Sequence, residues 1–129
     1  MRDTASQFAA ARESYLAAMA RFKDAREAEF FARDEARYAR ESMAAIENQL
    51  LVGDTDLPPV LGKNADERAA SRELILNGSG QWAAYQARLR SNERNAAQEA
   101  LEAQQAQAQM ALELRTLEWL IANARAEVG

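Results

Sequence analysis

Residues 8–25 read FAAARESYLAAMARFKDA, and this stretch decides the fold because aromatic rings and alanines alternate in it at helical spacing. Phe8, Tyr15 and Phe22 are each followed, three positions later, by an alanine. This spacing is typical of the seam of a coiled coil, in which positions a and d of a seven-residue repeat face a neighbouring helix. Alanine at one seam position lets that helix approach closely, and the rings fill the gaps beside it.

The repeat continues well beyond this stretch. Neither proline nor glycine occurs between Thr4 and Val52. Gly53 suits the residue after a helix end, because glycine accepts the left-handed conformation. A first long helix is therefore predicted over residues 4–52, capped by Asp3 or Thr4. Position a reads Phe8, Tyr15, Phe22, Glu29, Ala36, Met43 and Leu50, and position d reads Ala11, Ala18, Ala25, Ala32, Ala39 and Ile46.

The next segment, residues 53–78, is predicted to connect two long helices. Pro58, followed by a second proline, cannot continue a helix. Asn64 and Glu67 stand close to the capping-box pattern, which predicts a short helix over residues 65–76. Its apolar contacts are expected from Leu74, Ile75 and Leu76.

A second long helix is predicted over residues 79–127. Residues 95–109 are almost wholly alanine, glutamine and glutamate, all of which favour helix. One seam position reads Trp82, Leu89, Ala96, Ala103, Met110, Leu117 and Ala124. Its flanking seam residues are expected to be Tyr85 and Asn92 early, then Leu114, Ile121 and Val128 late.

The two long helices have similar lengths and a short connector, so the second is expected to fold back along the first. The residue numbers of facing pairs then add up to roughly 130. Large side chains would meet near the chain termini, alanines would meet in the middle, and Met43, Ile46 and Leu50 would pack on Trp82, Tyr85 and the connector. The prediction is an all-α antiparallel helical hairpin, a coiled coil in a single domain over residues 1–129.

A two-helix hairpin buries one seam and leaves other apolar side chains outside it. A second hairpin would cover them, which predicts a homo-oligomer, with a four-helix dimer favoured. The alternative is scattered exposed apolar residues, as on any protein surface. The candidate oligomer surface comprises Phe30, Phe31, Tyr38, Leu16, Met19, Leu112 and Leu120.

The residue types offer little for catalysis. The chain has no cysteine and no histidine, so it lacks thiolate chemistry, the commonest general base and the commonest metal ligand. Most carboxylates alternate with arginines, as in solvated pairs on helix surfaces. Glu29 is the one carboxylate that the repeat places inward; a register device is the favoured interpretation, and a metal ligand is the alternative. We therefore expect no enzyme, no catalytic residue, no metal and no cofactor.

Arginines are the one suggestive group. In the hairpin, arginines from both long helices come to similar levels, where they can contact phosphates, with Tyr38 and Tyr85 as stacking surfaces. Acidic neighbours and the formal net charge of −4 oppose this interpretation. A solvated mixed-charge face and an acidic protein partner are the other options. The candidate patch consists of Arg33, Arg37, Arg40, Arg88, Arg90 and Arg94.

The chain start, Met1 to Thr4, leads into a charged amphipathic stretch and not an apolar run, so no secretory signal is expected. No apolar stretch has the length to cross a bilayer, and a cytoplasmic protein without membrane contact is predicted. The run Gly78-Ser79-Gly80 precedes a helix, where an anion can bind, but it lacks the strand and the lysine of a phosphate loop. A plain helix break is the favoured interpretation.

The segment Gly62-Lys63-Asn64-Ala65-Asp66-Glu67-Arg68, with Tyr85-Gln86-Ala87 after the break, resembles small bacteriophage- and prophage-encoded helical proteins of recombination and replication modules. The resemblance covers about residues 60–90. It implies a bacterial host and a structural role for Lys63, Asn64 and Arg68, with Arg68 pairing with Asp66 or a long-helix carboxylate. It implies no catalytic residue.

These observations together predict a non-enzymatic helical interaction protein, phage-related, that binds a protein partner through coiled-coil surfaces. A host or phage nucleic-acid enzyme would be such a partner. The alternative is a DNA-binding accessory protein that uses the arginine patch on the hairpin.

Overall fold

The computed structural model of the chain describes residues 3–128 and contains there three α-helices: α1 (Thr4–Val52), α2 (Ala65–Asn77) and α3 (Gly80–Val128). No strand occurs in the described range, and α1 packs against α3. The predicted all-α helical hairpin is therefore confirmed, and each helix begins and ends within one residue of its predicted bounds. The prediction that the chain has no secretory signal depends partly on Met1 and Arg2, which lie outside the described residues. The side chain of Val128, predicted to flank the seam, also lies outside them.

Both ends of α1 have local causes. Asp3 is the cap, and its Oδ1 accepts the backbone N–H of Ser6 at 2.7 Å. That hydrogen bond, and a second one from the Ser6 side chain, favour the charged carboxylate and lower the pKa of Asp3. At the other end Gly53 has φ +76°. The Asp54 N–H donates to Gln49 O at 3.0 Å, which closes the helix in the manner of a Schellman motif.

The connector ends in the predicted cap. Asn64 Oδ1 accepts the Glu67 N–H at 2.9 Å, and Glu67 Oε2 accepts the Lys63 N–H at 2.7 Å, so a capping-box arrangement starts α2. Two details of the sequence interpretation were wrong. Leu74 is 75 % exposed and points away from the core. Arg68 pairs with neither Asp66 nor a long-helix carboxylate among the described residues.

The chain divides into two compact units, and each long helix contributes to both. The terminal unit comprises Met1–Phe30 and Ala96–Gly129, of which residues 3–30 and 96–128 are described. The connector unit comprises Phe31–Asn95.

The terminal unit has a core of small side chains. Ala11, Leu117 and Leu120 form its buried cluster, against which Tyr15 packs. Leu120 is 6 % exposed, so the prediction that it lies on the outer surface was wrong. The reason is that position d of α3 keeps its spacing of three after position a, which places Leu120 in the seam and turns Leu114 and Ile121 outward. The further buried alanines of this unit are Ala18, Ala25, Ala96, Ala103 and Ala106.

The connector unit contains the larger cluster. Ile46, Leu50 and Leu76 are buried together, which confirms the predicted packing of the end of α1 on the connector helix. Their half-buried neighbours are Leu57, Val60, Ile75, Trp82 and Tyr85.

Candidate interaction surface

Heptad position decides on which side of the seam each side chain lies. Around a helix, positions e and b follow position a, whereas g and c follow d. The hairpin is antiparallel, so position e of α1 faces position e of α3. We call the side that carries positions e and b of both helices the e side, and the side that carries g and c the g side.

Two ion pairs between the long helices fit this arrangement. In the terminal unit Arg21 Nη2 lies 2.6 Å from Glu102 Oε1, and both residues occupy position g. In the connector unit Arg40 Nη2 lies 2.7 Å from Glu93 Oε1, and both occupy position e. The heptad positions assigned from the sequence therefore predict correctly on which side of the seam these residues lie in each unit.

The e side of the terminal unit is apolar. Large side chains of both long helices are each about two-fifths exposed there: Phe8 (39 %), Leu16 (42 %), Met19 (41 %), Leu114 (44 %) and Ile121 (41 %). We call these five residues the apolar patch. A cleft of about 710 Å³ adjoins it near the chain termini and is lined by Thr4, Ala5, Phe8, Leu120, Ile121, Ala124 and Arg125.

The apolar patch exists because the hairpin seam is narrow. The buried positions hold mainly alanine, and no large side chain in the described part of the chain is fully buried. A close approach of α1 and α3 leaves the long side chains at positions a and e projecting to the side. Phe8 at position a lies in the seam, and the three residues at position e lie just beside it, whereas Leu16 lies further out at position b. Their exposure follows from the small size of their neighbours.

The predicted oligomer residues do not form one surface. Leu16, Met19 and Phe30 occupy positions b and e on the e side of the terminal unit. Leu112 occupies position c on the opposite side of that unit, whereas Phe31 and Tyr38 occupy position c in the connector unit. Leu114 and Ile121, which sequence reasoning assigned to the seam, belong to the exposed surface instead.

The predicted arginine patch is also divided. In the connector unit Arg33, Arg37, Arg40 and Arg90 occupy positions e and b, so the structure brings these four to the e side. Arg88 occupies position g on the other side, and Arg94 occupies the outward position f. The contact of Arg40 with Glu93 agrees with the predicted level of Arg40, but a common level does not place side chains on a common side.

Carboxylates neutralise part of this patch. Arg40 pairs with Glu93, and Arg37 with Asp34. Arg33 also has an interaction partner. Tyr38 and Tyr85 meet edge to face, with ring centroids 6.5 Å apart. The four arginines on the e side thus belong to a mixed-charge surface, and among them Arg90 has no ion pair within the described residues.

Glu29 and Ser79 are the buried polar residues of the described chain. Glu29 Oε1 accepts a hydrogen bond from Arg26 Nη1 at 3.1 Å within the terminal unit. Residues 3–128 contain no group of three or more carboxylates placed to hold a metal ion. Ser79 caps α3, because its Oγ accepts the Trp82 N–H at 3.3 Å. One of the donors that an anion would need there is therefore already used.

No protein-family model, curated protein or solved structure matches this chain. None of the helices in the described residues has both the length and the apolar character required to span a membrane.

Proposed function

We propose that this chain is a non-enzymatic interaction protein that binds another polypeptide through the apolar patch. The observation that carries the proposal is the exposure of five large apolar side chains from two helices on one side of a single seam. Contiguous apolar surface of this kind marks protein interfaces, because its burial removes it from water. Scattered single apolar residues would not align along both helices.

The patch suits a helical partner. Its members lie on two adjacent antiparallel helices, α1 and α3. The apolar stripe of a partner helix can pack between them, with the ridges of one helix surface in the grooves of the other. Methionine and leucine, which are unbranched at Cβ, adapt to such a stripe without backbone change. Coiled-coil association with another helix or helix pair is therefore the proposed mode of binding.

A phage-related origin and action in the cytoplasm of a bacterial host belong to the same proposal, and the resemblance of residues 60–90 is their support. Under this proposal the partner is a protein, either a second copy of this chain or a different protein such as a host or phage nucleic-acid enzyme. The DNA-binding alternative has less support, because carboxylates pair with arginines of its patch and the remaining arginines lie on different sides.

A site-specific photo-crosslinker tests the proposal. Benzoylphenylalanine replaces Leu16 or Leu114 in the apolar patch, or Ala20 or Ala108 at outward positions f as matched controls. Irradiation of cells of the encoding organism is expected to give protein adducts at the patch positions and not at the controls. Equal labelling at all four positions, or none at any, would contradict the proposal.

A gel-shift titration over a range of salt concentrations tests the alternative in parallel. We expect no retardation of duplex DNA at low salt. Retardation that weakens steeply with salt, and that disappears when Arg33, Arg37, Arg40 and Arg90 are replaced by glutamate, would favour DNA binding instead.

A further inference from the structure

We infer that the occupant of the apolar patch is a second copy of this chain, stacked so that α1 of each copy lies on α3 of the other. The inference rests on the proposed function and names its partner. It follows from the charges that border the patch, which distinguish among the possible ways of stacking two hairpins through this side.

The e side of the terminal unit is basic on α1, whereas on α3 it carries one acidic and one basic residue. On α1, positions e and b hold the cations Arg12, Lys23 and Arg26. On α3, the same positions hold Glu118, with Arg125 nearer the chain terminus. Stacking α1 on α1 would therefore place cations against cations, and Glu118 would then face α3 of the partner and not the cations of α1. Stacking α1 on α3 brings Arg12 towards Glu118 of the partner subunit.

The levels of these residues along the hairpin agree with this arrangement. Ala11 packs in one buried cluster with Leu117 and Leu120, so Arg12 and Glu118, their neighbours in sequence, lie at one level. A twofold axis parallel to the helices, placed between the e sides of two terminal units, keeps every residue of that unit at its level and stacks α1 of each copy on α3 of the other. Each Arg12 then meets the partner's Glu118, and the contact occurs twice by symmetry.

The same operation closes the apolar patch. Leu16 follows Tyr15, which packs on the buried cluster, and Leu114 lies one turn of α3 before Leu117. Leu16 of one copy therefore comes to the level of Leu114 of the partner subunit. Two symmetric ion pairs would then border an apolar centre, the arrangement of a polar rim around a buried interface core.

Arg12 and Glu118 are available for this contact. Both side chains are exposed, and neither makes an ion pair within residues 3–128. Such a rim pair contributes more to the orientation of the two copies than to their affinity, whereas like charges brought together oppose association strongly. Charge reversal is therefore a sharper test than truncation.

Sedimentation of the full chain over a range of concentrations tests the inference. The wild-type chain is expected to form a dimer. Arg12→Glu and Glu118→Arg should each raise the dissociation constant at least about tenfold, because each places two like-charged pairs at the interface. The double variant should dimerise like the wild type. The matched controls Arg115→Glu and Glu13→Arg, at exposed outward positions, should leave the dissociation constant unchanged.

Mixing the two single variants gives the decisive result. In a mixed dimer of the Arg12→Glu and Glu118→Arg chains, both contacts join opposite charges, so the mixture should dimerise with the affinity of the wild type although each variant alone dimerises more weakly. Only the stacking of α1 on α3 has this property. Mixed and single variants that sediment alike, or a double variant that is not restored, would overturn the inference.

The two experiments distinguish failure of this inference from failure of the proposed function. A wild-type chain that stays monomeric at every concentration, yet cross-links through Leu16 or Leu114 to a different protein, would overturn the second copy as occupant and support the proposed function. Circular dichroism of each variant establishes that the helices are intact, because all four substituted positions are exposed.

Discussion

Arg40 Nη2 lies 2.7 Å from Glu93 Oε1, and both residues occupy position e of their helices. Arg21 and Glu102 repeat the relationship in the terminal unit at position g. In a parallel coiled coil the flanking ion pairs join e to g, whereas helices that run in opposite directions bring like positions together. The two ion pairs thus suit an antiparallel pair and disfavour a parallel one.

The Arg40–Glu93 ion pair is expected to contribute little to stability. Its side chains are 59 % and 48 % exposed, so water screens the attraction. A double-mutant cycle with Arg40→Ala and Glu93→Ala should give a coupling of about 0.2–1 kcal/mol that shrinks with added salt. Urea unfolding followed by circular dichroism measures it, with Arg90→Ala as a control that has no ion pair to lose. A coupling well above that range would contradict this assessment.

The alanines of the seam are expected to resist enlargement. Ala106 has no exposed surface, and α1 lies against it in the terminal unit. Ala106→Leu adds a branched side chain where two backbones approach, so the free energy of unfolding should fall by about 1–3 kcal/mol. Ala108→Leu, at an exposed position f of the same helix, should change it by less than about 0.5 kcal/mol. Equal thermal midpoints for the two variants would mean that the seam is loose.

The seam residues of α1 were predicted better than those of α3, and the difference has a physical reason. In α1 every alanine at position d is buried, because alanine occupies five successive d positions and so marks the seam without ambiguity. In α3 the residues at d are mostly polar. The large apolar residues there stand four positions after position a, and this spacing predicted Leu114 and Ile121 in the seam in place of Leu120.

The arginine patch shows that a residue's level along the hairpin is easier to predict from the sequence than the side of the seam on which it lies. Counting residues along an antiparallel pair predicts levels, and contacts such as Ala11 with Leu117 and Leu120 agree with the predicted register. It does not predict sides unless each residue is assigned its heptad position. Arg88 and Arg40 are close in level, yet they lie on opposite sides of the seam. Partners such as Asp34 for Arg37 depend on rotamers and are visible only in the structure.

Gly62 is expected to be required at the start of α2. Its φ is +146°, and a Cβ there would lie 2.7 Å from Arg68 N. Gly62→Ala should therefore cost about 1–3 kcal/mol through backbone strain and local loss of the α2 cap. Fluorescence of Trp82, in a Trp119→Phe background, should report the opening of the connector cluster at lower urea. Gly80→Ala is the control, because nothing lies within 4 Å of that site and alanine favours helix.

Asp3 is expected to make the first turn of α1 sensitive to acid. The Ser6 backbone N–H, and then its side chain, hold the pKa of Asp3 below its ordinary value. A lowered pKa in the folded state means that the cap stabilises α1 above the ordinary pKa and is lost as pH falls through the lowered one. The carboxyl of Asp3 should titrate by NMR at a lower pH than in a short peptide, and Ser6 amide protection should fall with it.

The control for this titration is Asp3→Asn. Asparagine also accepts the Ser6 N–H but does not titrate, so the protection of the Ser6 amide should no longer depend on pH in the acid range. If protection in that variant still falls with the profile of the wild type, another group must be responsible.

Glu29 is expected to reduce stability in exchange for a unique register. Its carboxylate is 5 % exposed at position a and forms an ion pair with Arg26, and the burial of a charge has a desolvation cost even when the charge is paired. Buried ion pairs replaced by apolar side chains often leave a protein more stable by about 1–4 kcal/mol. Glu29→Met, which has a similar length, should raise the thermal midpoint, whereas Glu27→Met at an outward position should not. If the carboxylate specifies the register, sedimentation of Glu29→Met should also show additional association states, as when buried polar seam residues are removed from other coiled coils. A lower midpoint would mean that the interactions of Glu29 outweigh its desolvation.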